Sequence, residues 1–430
     1  MAIFLTSTDA SFGAQFAEFV ARSRDQDADV GEAVSQIITA VREDGLPAIV
    51  RYTEKFDRFT PTDQNLQLQP GDVDRALASL DDDLKTALEL AAARITDYHK
   101  RQLPDDAHYT DEAGLELGWQ WRSVDAAGLY APGGLAVYPS SVLMNAIPAK
   151  VAGVKRLCLC TPTPDGDVNP VIVAAAAIAG VDEIWRIGGA QAVAAMAYGA
   201  GPIQPVDVIV GPGNAYVAEA KRQVFGHVGI DSVAGPSEIL VVADGDNHPD
   251  WIAADLLSQA EHDPSSQSVL ITDDEAFAQL VDDAVERQLT GSTREEIARA
   301  AWTDNSAIIV VTRLTDAPTL VNALAPEHLE LAIADPDAML SHINHAGSVF
   351  LGRFAPEAIG DYLAGPNHVL PTSGAARYAS GLSVLNFMKR TSLIKADAAS
   401  LTRIGEPAAR IADAEGLPAH AYSIRIRLGS

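Results

Sequence analysis

Residues 183–226 read EIWRIGGAQAVAAMAYGAGPIQPVDVIVGPGNAYVAEAKRQVFG, and this stretch decides the fold. It contains two short apolar runs, EIWRI and VDVIV, which are typical of buried β-strands. Each run leads through glycines into an alanine-rich segment of helical character. Because a helix is the usual connection between parallel strands, the stretch predicts two successive β-α units of one parallel sheet.

The same alternation extends in both directions along the chain. Upstream, AAGLYAP and RLCLCTP each precede a helical segment, and a second series begins with EILVVAD at Glu238. That series continues through SVLITD, AIIVVT, HLELAIA and SVFLG, with helical segments among them. Two series that divide near Gly235 predict an α/β protein with two doubly wound, Rossmann-like parallel-sheet domains.

The two ends of the chain have a different character. Helical periodicity dominates the first hundred residues, and the tail is more helical and irregular. We therefore predict a mainly helical N-terminal segment, part of which packs on the second α/β domain, two α/β domains, and a small helical C-terminal domain. The predicted boundaries are 1–123, 124–237, 238–374 and 375–430.

Composition excludes several classes of function. The 430 residues include 58 Asp and Glu against 31 Lys and Arg, which gives a net charge of −27. Such a field repels phosphate backbones and anionic lipid, so we expect neither a nucleic-acid nor a membrane partner. The N-terminus lacks the pattern of a secretory signal, and the two cysteines, Cys158 and Cys160, fit buried packing on one strand better than a disulfide or a metal site. Together these features favour the cytoplasm.

Glycines are concentrated where the strands of the first series meet their helices. The junctions are YAPGG (130–134), GGAQ (188–191) and GPGN (211–214). Glycine allows close approach of the backbone, and a helix N-terminus offers free N–H groups to an anion such as a dinucleotide pyrophosphate. The GxGxxG fingerprint is absent, however, and tight turns alone would explain any one of the junctions.

Amide, imidazole and carboxylate groups in the second half of the chain are candidate metal ligands. They lie in three segments, LLSQAEHD, PEAIGDYLAGPNH and EGLPAHAY, which supply Gln259 and His262, Asp361 and His368, and Glu415 and His420. The first two share a helix face because they are three residues apart. This donor set suits Zn²⁺, with Mn²⁺ or Co²⁺ as alternatives.

The segment NALAPEHLEL places Glu327 and His328 side by side at the start of an apolar strand. Histidine titrates near neutral pH, where a general base for an alcohol proton should lie. The neighbouring carboxylate could orient the imidazole or activate water. A surface pair at a strand edge is the alternative interpretation.

Taken in order, these and the surrounding segments resemble the histidinol dehydrogenase family. The segments are GLYAPGGLAVYPSSVLMNAIPAKVAGV, GGAQAVAAMAYG, VGPGNAYVAEAKRQVFGHVGIDSVAGPSEIL, DLLSQAEHD, APEHLEL, and GSVFLG followed by PEAIGDYLAGPNHVLPTSGAARYASGLSV. The similarity is dense from Gly128 to Arg390 and resumes at EGLPAHAYSIRIRL. Ala131 and Tyr378 stand where the family usually has valine and phenylalanine.

The resemblance implies oxidation of L-histidinol to L-histidine through the aldehyde, with two NAD⁺, in histidine biosynthesis. It implies that 124–237 binds NAD and that 238–374 holds the metal and the substrate. The implied zinc ligands are Gln259, His262, Asp361 and His420. The implied acid/base pair is Glu327 and His328. The implied substrate contacts are Ser237, His368 and Glu415, together with His328 and the four zinc ligands. The implied NAD contacts are Tyr130, Gln191 and Asn214.

The resemblance also implies a homodimer in which the C-terminal domain reaches the partner's active site. Glu415 and His420 would then serve the neighbouring subunit. Three alternatives differ in what they leave unexplained. A paralogous dehydrogenase for another small polar alcohol would need an altered substrate pocket. A zinc hydrolase would leave the glycine-rich junctions without a ligand. A non-enzymatic scaffold would need no such grouping of polar residues in turns.

Overall fold

A computed structural model describes residues 2–22, 30–62, 64–132, 138–233 and 235–429. The N-terminal part is mainly helical, as predicted. Its elements are β1 (Ile3–Thr6), α1 (Phe12–Arg22), α2 (Gly31–Asp44), α3 (Leu46–Asp57), α4 (Pro70–Ser79), α5 (Asp82–Lys100), β2 (Ala107–Thr110) and β3 (Glu116–Ser123). The helical pattern that begins near Val30 divides into α2 and α3 because Gly45, at φ +64°, ends the first of them.

The first α/β series forms a parallel sheet of five strands with helices on both faces. Its elements are β4 (Ala126–Tyr130), α6 (Pro139–Ala152), β5 (Arg156–Cys160), α7 (Pro170–Ile178), β6 (Glu183–Trp185), α8 (Gly189–Tyr198), β7 (Val208–Val210), α9 (Ala215–Val224) and β8 (Gly229–Ile230). The strand order is β6-β5-β4-β7-β8. Helices α4 to α7 cover one face, and α2, α3, α8 and α9 cover the other. Cys158 and Cys160 are buried in β5.

The second series forms a parallel sheet of six strands. Its elements are β9 (Glu238–Ala243), α10 (Pro249–Ala260), β10 (Gln267–Thr272), α11 (Glu275–Leu289), α12 (Glu295–Asn305), β11 (Ala307–Val310), α13 (Ala317–Leu324), β12 (His328–Ala332), α14 (Pro336–Leu340), β13 (Ser348–Leu351) and α15 (Glu357–Tyr362). The order is β1-β11-β10-β9-β12-β13, so the first strand of the chain forms one edge. Helices α10 to α12 pack on one face, and α1 and α13 on the other. The predicted class, two doubly wound parallel sheets, is confirmed.

The C-terminal part contains β14 (Met388–Lys395), α16 (Ala398–Ala414) and α17 (Pro418–Leu428). The two helices pack against each other, and the strand joins an antiparallel ribbon in the order β14-β3-β2. The sequence does not predict this ribbon, because the pattern of the tail after residue 375 indicates a helical and irregular structure. Since most side chains of β14 are exposed, its sequence MKRTSLIK carries little apolar periodicity.

In both sheets, successive strands are first added on one side of the first strand of the series, and later strands are added on its other side. The reversal falls between β4 and β7 in the first sheet and between β9 and β12 in the second. The crevice at the carboxyl ends of the strands on either side of such a reversal is the usual ligand site of doubly wound folds. No helix in the described ranges is long and apolar enough to cross a membrane.

Candidate functional site

Two glutamates meet at the amino ends of neighbouring strands of the second sheet. The backbone N–H of Glu238 donates to Glu327 Oε2 at 2.9 Å, and the N–H of Glu327 donates to Glu238 Oε2 at 3.3 Å. Both side chains are buried. Burial, with the negative charge of Glu238 adding to it, raises the pKa of Glu327 well above its ordinary value. The half-buried Ser237 immediately precedes this pair.

His328 begins β12 and is held in one orientation. Its Nδ1 lies 3.0 Å from the backbone oxygen of Glu238. Because a carbonyl oxygen only accepts, Nδ1 carries the proton, and the neutral ring keeps a lone pair on Nε2. Burial lowers the pKa of His328 to about 4, so the ring is neutral at neutral pH. Its Nε2 lies 3.6 Å from Glu357 Oε1.

Helix α15 brings two carboxylates to the same place. Glu357 and Asp361 are four residues apart and share one helix face. Burial and the charge of Asp361 raise the pKa of Glu357 to about 8. Burial acts to raise the pKa of Asp361 as well, but the hydrogen bond from His368 and the nearby imidazoles outweigh it and lower that pKa. The two atoms of that contact, His368 Nδ1 and Asp361 Oδ1, are 3.5 Å apart.

Gln259 and His262 approach from the end of α10, which packs against α15. Gln259 is 2% exposed, and its amide oxygen has no hydrogen-bond partner in the part of the chain that the structure describes. A buried oxygen without a partner is costly unless a ligand binds it. His262 lies close enough to Asp361 and His368 to interact electrostatically with both, while burial lowers its pKa. His328, Glu357 and Asp361 also offer ligand atoms within 4.8 Å of one another. The side chains present therefore fit a Zn²⁺ ion.

Two predicted residues lie away from this cluster. Glu415 and His420 are exposed at the turn between α16 and α17. Among the described residues, no hydrogen bond or ion pair joins either side chain to the second sheet. If they belong to the site, a second copy of the chain must bring them there.

The three predicted cofactor residues lie at the carboxyl ends of the first sheet, near the reversal between β4 and β7. Tyr130 ends β4, and its hydroxyl accepts the N–H of Gly189 at 3.1 Å. Gln191, in the first turn of α8, is 1% exposed, and neither of its amide atoms is hydrogen-bonded to any of the described residues. Asn214 caps α9 by accepting the N–H groups of Tyr216 and Val217. Gly133 and Gly134 of the first junction lie outside the described residues.

A cavity of about 430 Å³ lies among the segments that follow β4, β5 and β6, and none of these three residues is in its lining. Its wall includes Pro132 and Pro162 and the side chains of Thr163 and Arg186. Among the described residues, the buried Thr163 hydroxyl and Arg186 Nε have no hydrogen-bond partner.

Sequence reasoning missed Glu238 and Glu357. The signal for Glu357 was available, because it lies four residues before Asp361 on a short helix. Glu238 gave no such signal, since its partner Glu327 is 89 residues away in the sequence. Only the pairing of β9 with β12 brings the two together.

Two doubly wound sheets, with a buried group of carboxylates and imidazoles at the second, define a two-domain α/β enzyme. The profile of the histidinol dehydrogenase family matches residues 20–428, and the chain belongs to this family. The histidinol dehydrogenase of Rhodospirillum rubrum is 59% identical over 429 residues, which cover 100% of this chain and 99% of that one. That of Zymomonas mobilis is 56% identical over 428 residues and covers 100% of both chains.

A solved structure gives the same result for the whole architecture. The crystal structure of histidinol dehydrogenase from Elizabethkingia anophelis superposes with a TM-score of 0.94 at 36% identity. The match covers 100% of this chain and 98% of that one. The resemblance deduced from the sequence is confirmed.

Proposed function

We propose that this chain oxidises L-histidinol to L-histidine through the aldehyde, with two NAD⁺ and one zinc ion, in histidine biosynthesis in the cytoplasm. The observation that carries the proposal is the buried His328, whose free Nε2 faces the same space as the carboxylates of α15, in a member of this family. A dehydrogenase needs such a base for the hydroxyl proton. Ser237, His368 and, from a second copy, Glu415 contribute substrate contacts.

In the first step His328 accepts the hydroxyl proton at Nε2. The carbonyl of Glu238 holds the ring by Nδ1, which leaves Nε2 as the accepting nitrogen. Burial keeps the ring neutral before the reaction. The negative charge of Asp361 stabilises the positive charge that forms on the ring, because it favours the protonated imidazole.

In the second step Glu327 assists the oxidation of the aldehyde. Oxidation to an acid requires addition of water, and a positioned carboxyl group such as Glu327, whose pKa burial raises well above its ordinary value, can take up and return a proton. The N–H of Glu238 holds one of its oxygens. The other oxygen is the one available to a water molecule.

Gln259, His262 and Asp361, with His420 of a second copy, would hold the zinc ion. When bound, zinc supplies a Lewis acid that anchors nitrogen and oxygen ligands of the substrate, and the nicotinamide accepts the hydride. Tyr130, Gln191 and Asn214 would contact the NAD.

The test is NADH formation with L-histidinol, followed by absorbance on zinc-loaded and on chelator-treated protein. We expect two NADH per histidinol, loss of activity on chelation and recovery with zinc. Histidinol binding without turnover would favour a paralogous dehydrogenase. Hydrolysis of a substrate in the absence of NAD⁺ would favour a zinc hydrolase.

A further inference from the structure

Helix α6 contains a proline that removes one of its own hydrogen bonds. Pro148 has no N–H, so the carbonyl of Met144, four residues earlier, loses the donor that a regular helix would provide. Met144 is fully buried, where water cannot replace that donor. The carbonyl therefore needs a partner from another part of the chain.

The partner is the side chain of Asn367, from the segment that follows α15. Its Nδ2 donates to Met144 O at 2.6 Å, and its Oδ1 accepts the N–H of Val369 at 2.9 Å. The side chain is 6% exposed. One amide thus ties a loop of the second α/β domain to a helix of the first and also fixes the turn of its own loop.

The residue next to Asn367 is His368, which reaches the same helix one turn earlier. His368 Nε2 lies 3.3 Å from the hydroxyl of Ser141, and Nδ1 lies 3.5 Å from Asp361. Two adjacent residues therefore contact α6 at points three residues apart. Arg94 holds the start of the loop through the carbonyls of Leu363 and Ala364.

We infer that Asn367 is a positioning residue for the active site. Its side chain donates to the Met144 carbonyl, which Pro148 leaves without a donor inside α6. This bond fixes His368, and with it the contact between His368 and Asp361, against the domain that would hold NAD. The inference rests on the proposed function, because it assigns Asn367 a role in placing a substrate contact. It adds that the proline in α6 is part of the site's construction.

The first test is Asn367→Asp. The carboxylate can still accept the N–H of Val369, but it cannot donate to Met144 O. We expect the KM for L-histidinol to rise at least about tenfold, while the KM for NAD⁺ and the zinc content stay as in the wild type. Asn367→Ala, which introduces no buried charge, is measured in parallel in case the carboxylate prevents folding.

The matched control is Asn386→Asp. Asn386 also accepts a backbone N–H through Oδ1, that of Ser383, in the same part of the chain, and among the described residues its side chain forms no hydrogen bond to α6 or the cluster. It should have wild-type kinetics. If neither the wild type nor this control turns over histidinol, the proposed function fails and the inference with it.

A second variant separates the positioning of His368 from a purely structural role, in which Asn367 only provides a hydrogen bond to Met144 O. Pro148→Ala returns an N–H to α6, so Met144 O regains a donor inside its own helix. In the double variant Pro148→Ala/Asn367→Ala, we expect the Tm lost by Asn367→Ala to be recovered and the high KM for histidinol to persist. Recovery of both would overturn the inference, as would an unchanged KM in the single variants.

Discussion

At the scale of single residues, the two members of the acid/base pair should differ in which step they serve. Glu327→Gln keeps an oxygen for the N–H of Glu238 but removes the group that activates water. We expect it to slow oxidation of the aldehyde by about 10²–10⁴-fold and to slow alcohol oxidation much less. Single-turnover measurements that start from histidinol and from histidinal separate the steps.

The matched control for this prediction is Glu330→Gln, the same substitution on the same strand. Glu330 is also buried, but its partner is Asp255 rather than Glu238. Both steps should proceed at nearly wild-type rates in this variant. Equal losses in both steps for Glu327→Gln would show that Glu327 does not have the separate role proposed for it.

The candidate residues differ in how visible they were in the sequence. Gln259 and His262 could be paired because helical spacing is local, and Glu357 could have been added to Asp361 by the same reasoning. The contact between Glu238 and Glu327 depends on strand order, which local spacing does not encode. Asn367 was hidden for a related reason, because its acceptor is created by a proline 219 positions earlier.

At the scale of elements, the proposed sites lie at opposite ends of the strands in the two sheets. At the carboxyl ends of the second sheet, the usual ligand site, the side chain of Asp244 just after β9 is hydrogen-bonded to the neighbouring loops. This carboxylate accepts the N–H of Ala334 at 2.9 Å, Nδ2 of Asn247 at 3.0 Å and the guanidinium of Arg353 at 2.6 and 2.7 Å. The cluster proposed as the catalytic site lies at the amino end instead, about 20 Å away along a six-residue strand.

This arrangement predicts that the crevice of the second sheet contributes to stability alone. Asp244→Ala should lower the free energy of unfolding by about 2–3 kcal/mol, because it leaves partly buried donors without their charged acceptor. The kcat and KM of the folded protein should stay unchanged. Urea unfolding and steady-state kinetics on one preparation test both parts.

Asp246→Ala is the matched control, two residues along the same loop. Its side chain is 90% exposed and lies 3.9 Å from Arg353, so its loss should scarcely change stability. A large loss of activity in folded Asp244→Ala would contradict the division of roles between the two ends of the sheet.

Elements were predictable where a strand that is buried on both faces has a continuous apolar run, or where apolar side chains repeat at helical spacing. The β-α series met this condition, and its strands and helices were read in the right order. Strands β1 and β14 did not, because one is a four-residue edge strand and the other is held mainly by backbone pairing with β3. Strands of this kind have few buried side chains, so their sequences carry little apolar pattern.

At the scale of the whole molecule, the C-terminal helix pair is the part whose role the single chain does not explain. Ile411, Tyr422 and Ile426 are 62%, 63% and 53% exposed on it. Exposed apolar side chains in one small unit are typical of an interface. His420 and Glu415 lie on the same unit, so we expect these polar side chains to act in the cluster of a second copy of the chain.

The prediction is that each active site combines two chains, and complementation tests it. Asp361→Ala removes a ligand from the cluster, and His420→Ala removes one from the helix pair, so both homodimers should be inactive. In a purified heterodimer, one cluster is intact and faces the intact helix pair of the other chain, while the second site lacks both groups. Two-fold symmetry therefore predicts about half of the wild-type activity. An inactive heterodimer, from two variants that each fold and dimerise, would mean that both ligands must come from one chain.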